Sequence, residues 1–161
     1  MTTQEKISVK VGRYVNTEYV NAVLREYKQT RWVSNSEKIG KPDTLSVWFS
    51  LEDIEDFLEK AKENGGNGIK FYFAAYPKAY APKPEHEGRQ CIVLVATKAR
   101  QTETGSIANK DLYITRQGKS TVLSLNKGII YPPGGNVPSE GGMGDLGITI
   151  VDKGEKGMEL I

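Results

Sequence analysis

The chain has 161 residues, 38% of them hydrophobic and 26% charged, with a formal net charge of +2. That length can bury one good core, and the composition is globular rather than the polar, highly charged kind that stays disordered. With acids and bases interspersed, the charge excludes a strong field for nucleic acid or anionic lipid.

Met1 to Lys6 lacks the basic and apolar character of an export signal, and no apolar run approaches the roughly 18 residues of a membrane span. A single cysteine, Cys91, excludes an internal disulfide and a thiolate zinc cluster. These features point to a soluble chain in a reducing cytoplasm, with nucleic acid and membrane set aside as partners.

After a short strand at Ile7 to Val11, Tyr19, Val20, Val23, Leu24 and Tyr27 recur at helical spacing and predict a helix from Asn16, its N-cap, to Thr30. Arg31 to Asp43 carries Ser34, Asn35, Ser36, Gly40 and Pro42 and reads as a connection held by Trp32. Leu45 to Phe49 is a strand that hands directly to a helix. Ser50 is its cap, Asp53 its capping-box acid, and Phe49 with Ile54 its hydrophobic staple. Leu51, Ile54, Phe57, Leu58 and Ala61 form the buried stripe of that helix, and Asn64-Gly65-Gly66 stops it.

Gly68 to Tyr76 alternates Ile69, Phe71 and Phe73, expected in the core, against Lys70, Tyr72 and Tyr76. Pro77 to Arg89 is a long proline-bearing connection. Cys91 to Ala96 is apolar throughout and suits a central strand, and Asp111 to Thr115 with Thr121 to Leu125 form a hairpin around Arg116-Gln117-Gly118-Lys119. The fold class is therefore α+β: a mixed sheet of about five strands and two helices, with a strand-helix-strand unit joined to an antiparallel meander. Residues 1–125 read as one globular domain. Residues 126–161 read as a Gly/Pro-rich tail holding nine of the 17 glycines, with a strand only at Gly147 to Val151.

No catalytic, cofactor or metal motif withstands its chemistry. Gly142-Met143-Gly144-Asp145-Leu146-Gly147 has the dinucleotide spacing but no preceding strand or following helix. Gly118-Lys119-Ser120 would end a phosphate loop, yet Tyr113 stands where glycine is required and the flanks are β-rich. Cys91 begins an apolar strand, where a thiol is inert, and His86 between Glu85 and Glu87 reads as a solvated surface histidine, so the two make no nucleophile pair. Glu52, Asp53, Glu55, Asp56 and Glu59 fall on the solvent face of their helix rather than around a cation.

The runs Ser46 to Phe57, Gly68 to Pro77, Val95 to Lys98 and Asn109 to Leu112 resemble a family of small uncharacterised bacterial proteins, common in the Bacteroidota. No activity is assigned to that family, so the resemblance carries over no site. The expected function is a non-enzymatic interaction or self-assembly module working through the tail or the Pro77 to Arg89 loop. The alternative is a small enzyme or ligand-binding protein whose site comes from loops. Tyr76, Tyr80, His86, Arg89, Lys98 and Arg100 are the candidate contact residues of the body, and Tyr131, Met143 and Ile148 those of the tail.

Overall fold

A computed structural model describes residues 10–132, 150–152 and 158–160. The elements run α1 (Thr17–Tyr27), a π-helical turn (Lys28–Trp32), α2 (Val33–Ile39), β1 (Ser46–Trp48), α3 (Leu51–Glu63) and β2 (Gly68–Ala75). A 3-10 turn (Pro84–His86) precedes β3 (Gln90–Gln101), β4 (Ile107–Asp111), β5 (Tyr113–Arg116), β6 (Lys119–Val122), β7 (Ser124–Leu125) and β8 (Ile129–Tyr131). β9 (Ile150–Asp152) and β10 (Met158–Leu160) complete the described strands. Helical stretches beside antiparallel ladders make the fold α+β. The chain sorts into two compact units, one built on Phe49–Ala74 and Cys91–Gly128, the other on Gly12–Trp48, Ala75–Gln90 and the segment from Ile129 onward.

In the first unit, α3 starts at its expected cap. Ser50 is extended and its hydroxyl accepts the Asp53 N–H at 3.0 Å, an arrangement that contributes about 1 kcal/mol. The helix ends at Asn64, and Gly65 follows at φ +82°, a left-handed value that costs glycine little. β2, β3 and β4 form a sheet in that order, with β7 also pairing β3. Register runs from Thr97↔Asp111 to Gln101↔Ile107 on one ladder and through Leu94↔Leu125 on the other. Phe57 and Ala61 of α3 pack on Leu94, Ala96 and Leu112 to make the core, with Phe49, Ile54, Ile69, Ile92, Leu123 and Leu125 partly buried around it. Each large side chain so buried stabilises the fold by about 1.5 to 3 kcal/mol. The β5–β6 hairpin turns where expected, through Gln117 and Gly118, both at positive φ as a tight hairpin demands.

Two expectations fail here. Leu51 is 81% exposed and Leu58 is also exposed, so the buried stripe of α3 narrows to Ile54, Phe57 and Ala61. Phe71 and Phe73, expected in the core, are 60% and 80% exposed. Ile69 packs on the core, but each two-residue step along a strand advances about 7 Å, which carries Phe71 and then Phe73 beyond the reach of that cluster.

In the second unit, Asn16 caps α1 by accepting the Tyr19 N–H at 2.9 Å, as expected. The helix does not end near Thr30. It continues through the π turn into α2, so the connection expected from Arg31 is helical as far as Ile39. Tertiary hydrogen bonds decide this: Trp32 Nε1 donates to the Asp43 carbonyl at 2.8 Å, and Ser36 Oγ accepts the Asp43 N–H at 2.9 Å. Gly40, at φ +72°, is the actual stop. β1 pairs antiparallel with β8, Val47 opposite the buried Ile130, so the strand-helix-strand stretch supplies two different ladders. β9 pairs with β10, Leu160 opposite Ile150. Of the segment read as a tail, β8 to β10 thus form ladders. Met143 and Ile148 lie outside the described residues.

Candidate functional site

The Pro77 to Arg89 connection is folded on itself. Tyr80 and Ala81 N–H groups both donate to the Pro77 carbonyl, and the Tyr76 N–H donates to Arg89 O while Gly88 N–H donates to Tyr76 O, which joins the two ends. Gly88 takes φ +78° to make that closure. The result brings Tyr76, His86 and Arg89 together and leaves Tyr80 exposed at the tip of its turn.

Arg89 is 2% exposed, one of the two largest fully buried side chains among the described residues. Its Nη2 donates to the Pro132 carbonyl. Burial pushes the guanidinium pKa down and the nearby Asp43 carboxylate pushes it back up. Asp43, also buried, accepts the Gln90 N–H through Oδ1 at 2.7 Å. Gln90 in turn accepts the Tyr27 hydroxyl through Oε1. The Tyr27 phenol is raised by burial and then by the Asp43 charge, against an opposing effect of Arg31. Sequence reasoning passed over Tyr27, Asp43, Thr44 and Gln90, because their partners are distant in the chain: 63 residues separate Tyr27 from Gln90 and 47 separate Asp43 from Gln90.

His86 is not the solvated surface histidine expected from Glu85 and Glu87. It is half-buried and stacks on Tyr76, centroids 6.2 Å apart and planes at 24°. Burial pushes its pKa down, followed by the Arg89 charge, with Lys83 and Lys41 adding to this and Glu85 opposing it. Three buried polar atoms on these segments have no hydrogen-bond partner among the described residues: Thr44 Oγ1, His86 Nδ1 and Arg89 Nε.

The first unit carries a different feature. Phe71 and Phe73 stand exposed on the Ile69 face of β2, while Lys70 and Tyr72 alternate to the other face. There Lys70 Nζ lies 2.9 Å from Asp111 Oδ1, and the Tyr72 hydroxyl donates to Asp111 Oδ2 at 2.7 Å. The Lys70 hydrogen bond, then that of Tyr72, holds the Asp111 carboxyl below its ordinary range. Lys98 stands directly opposite Lys110, and Arg100 opposite Ala108, all solvent-facing but Ala108. An open groove of about 300 Å³ is lined by Leu58, Ala61, Lys62, Gly66, Asn67, Gly68 and Ile69, and by none of the candidate contact residues named from sequence. Tyr131 is half-buried in β8 opposite Ser46.

Cys91 is buried, and burial raises its thiol pKa against a lowering hydrogen bond from Asn126. Among the described residues no three His, Cys, Asp or Glu side chains gather as a metal-ligand set, and no helix is long and apolar enough to cross a membrane. Comparison with family models, curated proteins and solved structures returns no match.

Proposed function

We propose that the chain is a non-enzymatic self-association module of the reducing cytoplasm, and that its partner is a second copy docked on β2. The observation that carries this reading is the pair Phe71 and Phe73, largely exposed in the middle of a regular strand. Burying large aromatics is what a strand ordinarily uses them for, and exposed apolar patches mark interaction surfaces. Among the described residues β2 lies at the end of its sheet, with β3 as its neighbour.

Protected edges usually carry proline, a bulge or an outward lysine. Gly68-Ile69-Lys70-Phe71-Tyr72-Phe73-Ala74-Ala75 has no proline, and its one lysine is tied to Asp111. A two-fold antiparallel pairing centred on Tyr72 sets Phe71 of one copy opposite the partner's Phe73, a favourable cross-strand aromatic pair. At roughly 200 Å² per ring, the exposed parts of Phe71, Tyr72 and Phe73 from two copies supply about 700 Å², close to half of a standard interface. The backbone ladder and flanking side chains provide the remainder.

Light scattering at chain concentrations up to about 100 µM should give twice the mass of one chain, and the Phe71→Ser/Phe73→Ser double variant should give the mass of one. Because both rings are exposed, the variant should keep its circular dichroism. A monomeric parent across that range would overturn the proposal.

A further inference from the structure

We infer that the buried Arg89 and Thr44, with the half-buried His86, form a binding site for a small oxyanion, a carboxylate or a phosphate. The site is independent of the aromatic strand. Its basis is the set of three buried polar atoms without a partner among the described residues, on two segments that the Asp43–Gln90 hydrogen bond holds side by side. Native interiors satisfy nearly all buried polar groups, so an orphan asks for the group that completes it. The three orphans share one capacity. A guanidinium N–H can only donate, a threonine hydroxyl can donate, and His86 Nδ1 donates once the ring is protonated or in the tautomer that places the proton there. Their complement is rich in acceptors, which excludes a cation and an apolar ligand.

Charge selects an anion over a neutral acceptor. Arg89, Lys41 and Lys83 act on His86 as cations, against Glu85 alone. Asp43 adds a second negative charge near Arg89, so the three cations stand against two carboxylates and the balance stays positive. The Pro132 carbonyl takes one Nη2 hydrogen bond, and Nε–H, without a partner among the described residues, can donate to an oxygen, as in charge-assisted recognition of carboxylate and phosphate. An ordered water would also satisfy such atoms, and it is the alternative that the experiment separates.

His86 is the single histidine of the chain, so its ring protons report on the site without an assignment problem. Bound negative charge favours the imidazolium, and the groups that act on the ring, the charges of Lys41, Lys83, Glu85 and Arg89 and the stacked Tyr76, are the same with and without ligand. The full chain is titrated by proton NMR in inorganic phosphate, in acetate and in chloride at one ionic strength. Saturable binding of phosphate or acetate should move the His86 midpoint up by about one pH unit relative to chloride. A response to phosphate alone makes the ligand a phosphate, and a response to acetate alone makes it a carboxylate. Thr44→Val should weaken the response about tenfold, the worth of one good buried hydrogen bond. Arg89→Gln should abolish it; if that variant does not fold, the parent titration and Thr44→Val still decide. Equal midpoints in all three salts would mean that water fills the site, and would overturn the inference.

Discussion

His86 stays neutral in the folded chain where a solvated imidazole would begin to take a proton, because burial and the Arg89 guanidinium both disfavour the charged ring. The consequence for stability has a definite sign. Below the ordinary value of 6.5 the unfolded chain binds a proton that the folded chain refuses, so stability is full above 6.5 and declines as pH falls toward the depressed folded value. Urea midpoints measured from pH 7 down to about 5, above the range where most carboxylates titrate, should therefore fall, and His86→Gln should flatten that slope. A parent midpoint constant over that window would show that the ring is free to protonate. The same physics works at Cys91, where burial raises the thiol pKa and keeps the nucleophilic thiolate scarce.

At the scale of elements, α3 and β2 are joined by a turn with almost no free space. A Cβ at Gly66 would stand 2.8 Å from the Ala61 carbonyl oxygen and 3.3 Å from that of Thr97, both backbone atoms that cannot rotate away. The Gly66 N–H also donates to Ala61 O at 2.7 Å, which pins the glycine against the helix end. Gly66→Ala should destabilise the chain by about 1 to 3 kcal/mol, the usual cost of overpacking, as read from chemical denaturation. A midpoint within experimental error of the parent would mean that the turn relaxes freely. Helix boundaries show the complementary lesson. The Asn16 and Ser50 caps are local hydrogen bonds spanning three residues, so their residue types mark them. The continuation to Ile39 depends on Trp32 and Ser36 meeting Asp43, which no local pattern records.

At the scale of the whole molecule, each unit is assembled from segments far apart in the chain. β8 is the plainest case. Ile130 is 2% exposed opposite Val47, Leu45 N–H donates to the Tyr131 carbonyl at 2.6 Å, and Pro132 O is the acceptor for Arg89. Removing the chain from Ile129 onward takes away one large buried side chain and leaves a buried guanidinium without that acceptor, so stability should fall by at least about 3 kcal/mol. Equal urea midpoints for the full and shortened chains would show that β8 contributes nothing to the fold.

The sequence by itself determined the elements whose signals are local: the caps at Asn16 and Ser50, the core strand from Cys91 to Ala96, the Gln117-Gly118 turn and the α+β class. These rest on side-chain period and on hydrogen bonds spanning a few residues. Only the tertiary structure decided which face of an element has a partner. Alternation along β2 places Phe71 and Phe73 on the side of Ile69, yet what covers that side is set by another part of the chain, and the core cluster ends at Ile69. The Arg89 cluster belongs to the same class. Arg89 and His86 stood out as polar loop residues, but the burial of Arg89 and its place beside Asp43 come from contacts between distant segments whose closure leaves no trace in residue spacing.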